Sequence, residues 1–255
     1  MLKEERFSKI IDLVNEKGSV KTAEISDDLG VSLATIRRDL NELDSLNKIK
    51  KVFGGASSIK NAQFIGIEEE MKNKLTQNIE AKKVIGSYAA SFINENDFVY
   101  LDTGTSVEAI LPYIDAENTS YVTNSISIGQ KLSERNKKVF ILPGSFKKGT
   151  GALVGASTCQ YLENFNFSLG FFGTNGIDKD LGFTTPDINE AMVKSKALSR
   201  CMKAYVLADS SKFGKVFQVT FSKDDDLKII SNSKSKDKVI IKNYKNYKEE
   251  IWYIP

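Results

Sequence analysis

The chain has 255 residues, 41% of them hydrophobic, and a formal net charge of +3. That is enough for a small domain plus one of roughly 150–180 residues, and too little charge for binding by bulk basicity alone. No histidine occurs, which removes the Ser-His-Asp hydrolases, the Cys-His proteases and His-ligated metal sites together.

Phe7, Ile10, Ile11 and Val14 lie on one face of a helix expected over residues 4–16 and stopped by Gly18. Thr22 is placed to cap a second short helix, Ala23 to Leu29, with Ile25 and Leu29 inward. Gly30 makes a tight turn that Val31 plugs. A third helix follows, in which Ile36, Leu40 and Leu43 repeat at the spacing of a buried stripe that Leu33 extends one turn back. Ser32 caps it, and Thr35, Arg37 and Arg38 face away from the stripe, two guanidiniums beside a hydroxyl. Asp39 and Glu42 are expected to be surface or intrahelical partners. Two short helices joined by a Gly-containing turn form a helix-turn-helix, whose second helix enters the major groove. Ile49 to Phe53 reads as a strand and Gly54-Gly55 as a turn, the wing of a winged helix. Lys48, Lys50, Lys51 and Lys60 are unopposed by any acid between Asn47 and Lys60, so this wing would face phosphates. DNA-binding candidates are Ser32, Thr35, Arg37, Arg38, Lys50 and Lys51.

These segments resemble the DeoR family of bacterial transcriptional regulators: Thr35-Ile36-Arg37-Arg38-Asp39-Leu40 matches its recognition helix, and Ile49 to Ala56 its basic strand with Gly-Gly-Ala. The chain departs from the family at Phe53, where His is usual, and at Lys51, often Arg.

Residues 58–73 show weak patterning and are assigned as a linker between a DNA-binding domain over 1–57 and a second domain over 74–255. That domain opens with a helix expected over Lys74 to Ile93. Strands and helices then alternate, with strands at residues 98–101, 121–123, 139–142, 168–172 and 204–207 and a helix from Val107 to Ile114. The alternation predicts an α/β domain with a mainly parallel sheet. Each strand ends in Gly, Ser, Thr, Asn or Asp, and open α/β sheets bind ligands outside the carboxyl ends of their strands. Gly104-Thr105-Ser106 opens a helix, a place suited to an anion. A lysine- and asparagine-rich stretch, 231–250, surrounds a strand-like Val239-Ile240-Ile241 and is expected at an edge.

The resemblance extends through Asp102-Thr103-Gly104-Thr105-Ser106, Thr123-Asn124-Ser125, Gly144-Ser145-Phe146-Lys147, Gly173 to Ile177, Thr185 to Ala191, and Asp209 to Gly214, about residues 1–232 in all. It implies a sensor fold like that of the ribose-5-phosphate isomerase and CoA-transferase group, with a phosphorylated sugar as effector. Carried over residue by residue, it points to Lys74, Lys82, Asp209 and Lys212, the lysines neutralising phosphate and Asp209 accepting sugar hydroxyls. With the strand-end residues, the effector candidates are Lys82, Asp102, Gly104, Thr105, Ser106, Thr123, Asn124, Ser125, Lys147, Asp209 and Lys212.

The rival reading is a sugar-phosphate isomerase carrying a DNA-binding domain. It needs a carboxylate base, and Glu190 and Glu108 are the options. Glu190 is expected in the first turn of a helix that Thr185 caps and Pro186 opens, where stabilising the helix dipole explains it without catalysis. Cys159 and Cys201 are isolated and read as buried thiols in a reducing cytosol. With no signal-like opening and no membrane-length apolar run, a cytoplasmic repressor is expected, binding repeated operator half-sites as a dimer or tetramer and needing no cofactor or metal.

Overall fold

A computed structural model describes residues 2–17, 19–46, 48–58, 63–64, 71–232 and 239–244. The chain divides into two compact units, residues 1–63 and 64–255.

The first unit runs α1 (Lys3–Lys17), β1 (Ser19–Lys21), α2 (Thr22–Leu29), α3 (Leu33–Ser45), β2 (Lys50–Val52) and β3 (Gly55–Ser57). The strands form one antiparallel sheet ordered β1–β3–β2. Ile10, Val14, Ile25, Ile36, Leu40 and Leu43 close a core with Ile49 and Ala56, so the wing is tied to the helices by its own apolar residues. Gly30 takes φ +61°, a conformation that a Cβ disfavours, and its turn delivers α3. Gly55 is required by space: a Cβ there would lie 2.1 Å from the carbonyl oxygen of Val20 on the adjacent strand.

Three details differ from expectation. Thr22 is the first helical residue and is buried, with Lys21 in the cap position. Leu33 is 44% exposed, because the stripe begins only at Ile36 once Val31 has filled the turn. Asp39 is 4% exposed. It accepts a two-pronged hydrogen bond from Arg6 of α1, Nε to Oδ2 at 2.5 Å and Nη2 to Oδ1 at 3.0 Å. Glu42 pairs with Lys3. Both acids therefore join α3 to α1 rather than staying within their own helix.

The second unit contains a seven-stranded sheet. After β4 (Gln63–Phe64), at the boundary in sequence, come α4 (Met71–Thr76), α5 (Ile79–Ala90), β5 (Phe98–Leu101), α6 (Thr105–Glu108), β6 (Ser120–Thr123), α7 (Ile126–Glu134) and β7 (Lys138–Ile141). Then follow β8 (Ser145–Lys147), β9 (Ala152–Val154), α8 (Ala156–Leu162), β10 (Leu169–Gly173), β11 (Gly176–Asp178), β12 (Gly182–Thr185) and α9 (Ile188–Leu198). The last elements are β13 (Ala204–Leu207), β14 (Lys215–Val216), β15 (Val219–Ser222), β16 (Lys228–Asn232) and β17 (Val239–Asn243). The main sheet is ordered β17–β16–β13–β10–β5–β6–β7. All its pairs are parallel except β16–β17. The parallel α/β reading therefore holds, and Val239–Ile241 lies in the antiparallel edge strand.

Side chains alternate across this sheet. Val99, Leu101, Tyr121, Phe171 and Leu207 meet Ile85 and Ala89 of α5 and Ile128 and Leu132 of α7 on one face. Tyr100, Val122, Phe172 and Val206 meet Leu162 of α8, Val193 and Ala197 of α9, and Phe183 and Phe221 of a small antiparallel sheet, β11–β12–β15, on the other. Burial on both faces explains why β5, β10 and β13 read as continuous apolar runs, whereas β7 at the sheet edge leaves Phe140 and Ile141 exposed.

The helix expected over 74–93 is two helices. Asn78 stands between them with φ +52°. Its Nδ2 donates to Asp209 Oδ1 at 3.0 Å and to Ser211 Oγ at 3.4 Å, which fixes the break. The helix expected over 107–114 is a single turn, α6, then a 3₁₀ turn at Leu111–Tyr113 around Pro112. Asp187, rather than Thr185, caps α9, accepting the Glu190 N–H at 2.9 Å.

Candidate functional sites

In the first unit, Ser32 Oγ accepts the Thr35 N–H at 3.3 Å and lies 3.0 Å from Thr35 Oγ1. Arg37 and Arg38 are exposed on the first turns of α3, opposite the buried stripe. Lys50 is exposed on β2. Lys51 is bound back to α3, its Nζ donating to Asn41 Oδ1 and its N–H to Asp44 Oδ1 at 2.7 Å. The wing is thus hydrogen-bonded to the recognition helix. Phe53 is fully exposed at the hairpin tip beside Gly54. Lys60 lies outside the described residues.

In the second unit a cleft opens at the carboxyl ends of β5 and β10. Its walls are the loop Thr103–Ser106, the loop Gly173–Asn175, Thr150, Glu190, Lys194, and the lysines Lys74 and Lys212. Of the effector candidates read from the sequence, Gly104, Thr105, Ser106 and Lys212 line it, together with Lys74.

Asp102 lies just beneath. Its carboxylate is buried, accepts the Gly173 N–H at 2.9 Å and forms an ion pair with the buried ammonium of Lys194. That ammonium also donates to the Gly173 carbonyl at 3.1 Å. Burial pushes the Asp102 carboxyl above the usual carboxylate range, while Lys194 and the Gly173 amide pull the other way. Lys194 was missed in the sequence. The signal was there: four residues after Glu190, it falls on the same face of α9.

The other candidates brace the cleft without lining it. Asn124 Oδ1 accepts from Tyr100 OH, Thr103 N and Thr103 Oγ1 at 3.1–3.2 Å, and its Nδ2 donates to the Leu153 carbonyl at 3.3 Å. Thr123 Oγ1 accepts the Ser125 N–H, and Ser125 Oγ caps α7. Lys82 is buried and donates to the Lys74 carbonyl, holding α4 against α5. Asp209 is buried; its Oδ1 accepts from Asn78 and from the Ser211 N–H, and its Oδ2 has no hydrogen-bond partner among the described residues. Lys147 is shared between Glu190 at 3.2 Å and Asp187 at 3.3 Å. Apart from Asp209 Oδ2, these polar groups are engaged with one another and with nearby backbone, because a buried polar atom needs a partner whether or not a ligand is bound.

The two carboxylates considered as bases differ. Glu108 accepts from Ser127 Oγ at 2.7 Å and pairs with Lys131. Glu190 is 7% exposed and lines the cleft, Oε1 accepting from Thr150 Oγ1 at 2.7 Å and Oε2 from Thr185 Oγ1 at 3.4 Å. Among the described residues no group of three or more Cys, Asp or Glu could hold a metal, and no helix is long and apolar enough to cross a membrane.

Family models match both units: a DeoR-like helix-turn-helix domain over residues 6–62 and a DeoR C terminal sensor domain over 77–233. FruR of Bacillus subtilis (strain 168), an HTH-type transcriptional regulator itself described as uncharacterized, is 36% identical over 232 residues, 91% of each chain. The lactose phosphotransferase system repressor of Staphylococcus epidermidis is 37% identical over 218 residues, 84% of this chain and 86% of that one. Among solved structures, ribose 5 phosphate isomerase A from Neisseria gonorrhoeae aligns with 57% of each chain at 18% identity and a TM-score of 0.40. With a winged helix bearing Arg37 and Arg38, a parallel-sheet sensor domain, and a family model matching each of the two, this chain belongs to the DeoR family of DNA-binding transcriptional regulators.

Proposed function

We propose that this regulator represses a sugar-uptake or sugar-catabolic operon and leaves its operator when a phosphorylated sugar enters the sensor cleft. The observation that carries the reading is the cleft itself. Lys74, Lys194 and Lys212 converge with the hydroxyls of Thr105 and Ser106 at the carboxyl ends of parallel strands, where α/β sheets receive their ligands. Ammonium groups and hydroxyls suit a phosphate, and Glu190 is an acceptor for sugar hydroxyls. The sugar-related names of the relatives agree, among them the lactose phosphotransferase system repressor.

On the DNA side, Arg37 and Arg38 would meet guanine edges or phosphates in the major groove, with Ser32 and Thr35 at the start of the same helix and Lys50 on the adjoining backbone. Lys51, engaged with α3, supports this surface as much as it contacts DNA. The domains assigned from the sequence, 1–57 and 74–255 joined by 58–73, give each task its own unit. A dimer or tetramer in the cytoplasm would match repeated half-sites. The isomerase alternative is disfavoured by the relatives, which are transcriptional regulators.

The test is a mobility-shift assay on fragments of the gene's own upstream region, repeated with a panel of sugar phosphates. Specific binding relieved by one of them is expected, and Lys212→Ala should bind the same fragment yet stay bound. No binding to any fragment at low salt, or release of Lys212→Ala at wild-type effector concentrations, would refute the proposal.

A further inference from the structure

Resting on the effector reading above, we infer that Glu190 makes the cleft selective for a sugar bearing a single phosphoryl group, taking a hydroxyl where a second phosphate would otherwise lie. The argument is one of charge position. In the sheet, β13 and β6 stand on opposite sides of the β5–β10 pair. Lys212 follows β13. Thr150 sits in the β8–β9 turn, and that hairpin is joined to the end of β6 by the Leu153 N–H to Asn124 carbonyl bond at 2.7 Å. Thr150 donates to Glu190. Lys212 and Glu190 therefore occupy opposite flanks of the cleft, with Lys194 between them on Asp102 and Gly173.

The flanks differ in sign. Lys212 makes no ion pair among the described residues. The charge of Lys194 is matched by Asp102. On the far side, Glu190 and Asp187 both pair with Lys147, two carboxylates to one ammonium among the ion pairs of the described residues. Lys148, next in the hairpin, is exposed and does not line the cleft. A phosphate monoester, close to doubly charged at neutral pH, is accommodated at the Lys212 flank. A second one would face a carboxylate in a partly buried wall, where like charges repel strongly. A hydroxyl meets the opposite reception. Among the described residues Glu190 Oε2 accepts a single long hydrogen bond, from Thr185 at 3.4 Å, so a lone pair is available to a donor that phosphate lacks and a sugar possesses.

The experiment is calorimetric titration of the full chain with fructose 1-phosphate, fructose 6-phosphate, tagatose 6-phosphate, ribose 5-phosphate and glycerol 3-phosphate, beside fructose 1,6-bisphosphate and tagatose 1,6-bisphosphate. In the wild type, the best monophosphate should bind at least about tenfold more tightly than either bisphosphate. Glu190→Gln should narrow that ratio by tightening bisphosphate binding, and Glu190→Asp, which keeps the charge, should preserve it. A wild-type chain that binds a bisphosphate as well as any monophosphate overturns the inference without recourse to a variant, and leaves the sugar-phosphate reading standing. A Glu190→Gln protein that is folded by circular dichroism and keeps the wild-type ratio also overturns it. Binding of none of the seven compounds would remove both the inference and the reading beneath it.

Discussion

Replacing Lys194 by Met deletes one charge from the floor of the cleft and little else. The methionine stem is similar in length, and the position packs near the Phe221 ring, 5.6 Å from the ammonium. The loss is therefore chiefly electrostatic. Asp102 and Lys194 have side chains 1% and 6% exposed. Removing one partner of a buried pair costs about 3–5 kcal/mol, because the other charge is stranded. Asp102 would keep only the Gly173 N–H at 2.9 Å. The stranded carboxyl has one escape, which is to take up a proton. Burial already holds it above the usual carboxylate range in the folded chain, and without Lys194 it must rise further. A carboxyl with a raised folded pKa costs nothing below its unfolded pKa and progressively more as pH climbs through the window above. The penalty for Lys194→Met should thus be small near pH 4, larger at pH 6 and larger still at pH 8. In urea, with a slope of about 2 kcal/mol per molar, the sensor transition at pH 8 should move down by roughly 1.5–2.5 M. Circular dichroism at the three pH values measures this, and adding Asp102→Asn should recover most of the loss. An unchanged midpoint at pH 8, a shift equal at all pH values, or no recovery in the double variant would refute the reasoning.

Other outcomes follow from the same structure. Arg37→Ala should weaken operator binding by about 1–3 kcal/mol in fluorescence anisotropy at fixed salt, with folding unchanged, if that guanidinium reads a guanine. Asp39→Ala should destabilise the winged helix by about 1.5–3 kcal/mol, since Arg6 loses both of its bonds to α3; a thermal melt of the DNA-binding unit within the chain reports it. Gly86→Val should destabilise the sensor by about 1–3 kcal/mol or more, because a Cβ there would sit 2.3 Å from the Ala109 carbonyl oxygen. Burial pushes the Cys201 thiol up to about 12. It should resist a thiol reagent at pH 8 until the chain is unfolded, and stability should fall from about pH 9 upward as only the unfolded chain ionises.

What could be read in advance follows the range of the interactions. The stripe Ile36–Leu40–Leu43, the Ser32 cap and the Gly30 turn are set within a few residues, and all were visible. The burial of Asp39 was not, because its partner Arg6 comes 33 residues earlier and a lone acid on a helix resembles a solvated one. The strand ends show the same divide. Polar residues at the carboxyl ends of β5, β6, β10 and β13 announced a cleft, but composition cannot separate those that face it from those that brace it. Ser106 and Lys212 line it, whereas Thr123, Asn124 and Ser125 are consumed by one another and by the β9 hairpin. Spacing puts Lys194 on the Glu190 face of α9, but its ion pair with Asp102, 92 residues away, is not legible locally.

The interruption at Asn78 has a mechanical consequence. Instead of one stiff rod opening the sensor, two shorter pieces meet at a left-handed residue whose amide is fastened to the Asp209–Lys212 turn. The same turn carries Lys212 into the cleft, so the seam between the two helices and the cleft wall share one anchor. A side chain repacked at that anchor touches both the opening helices of the sensor and the wall of its cleft.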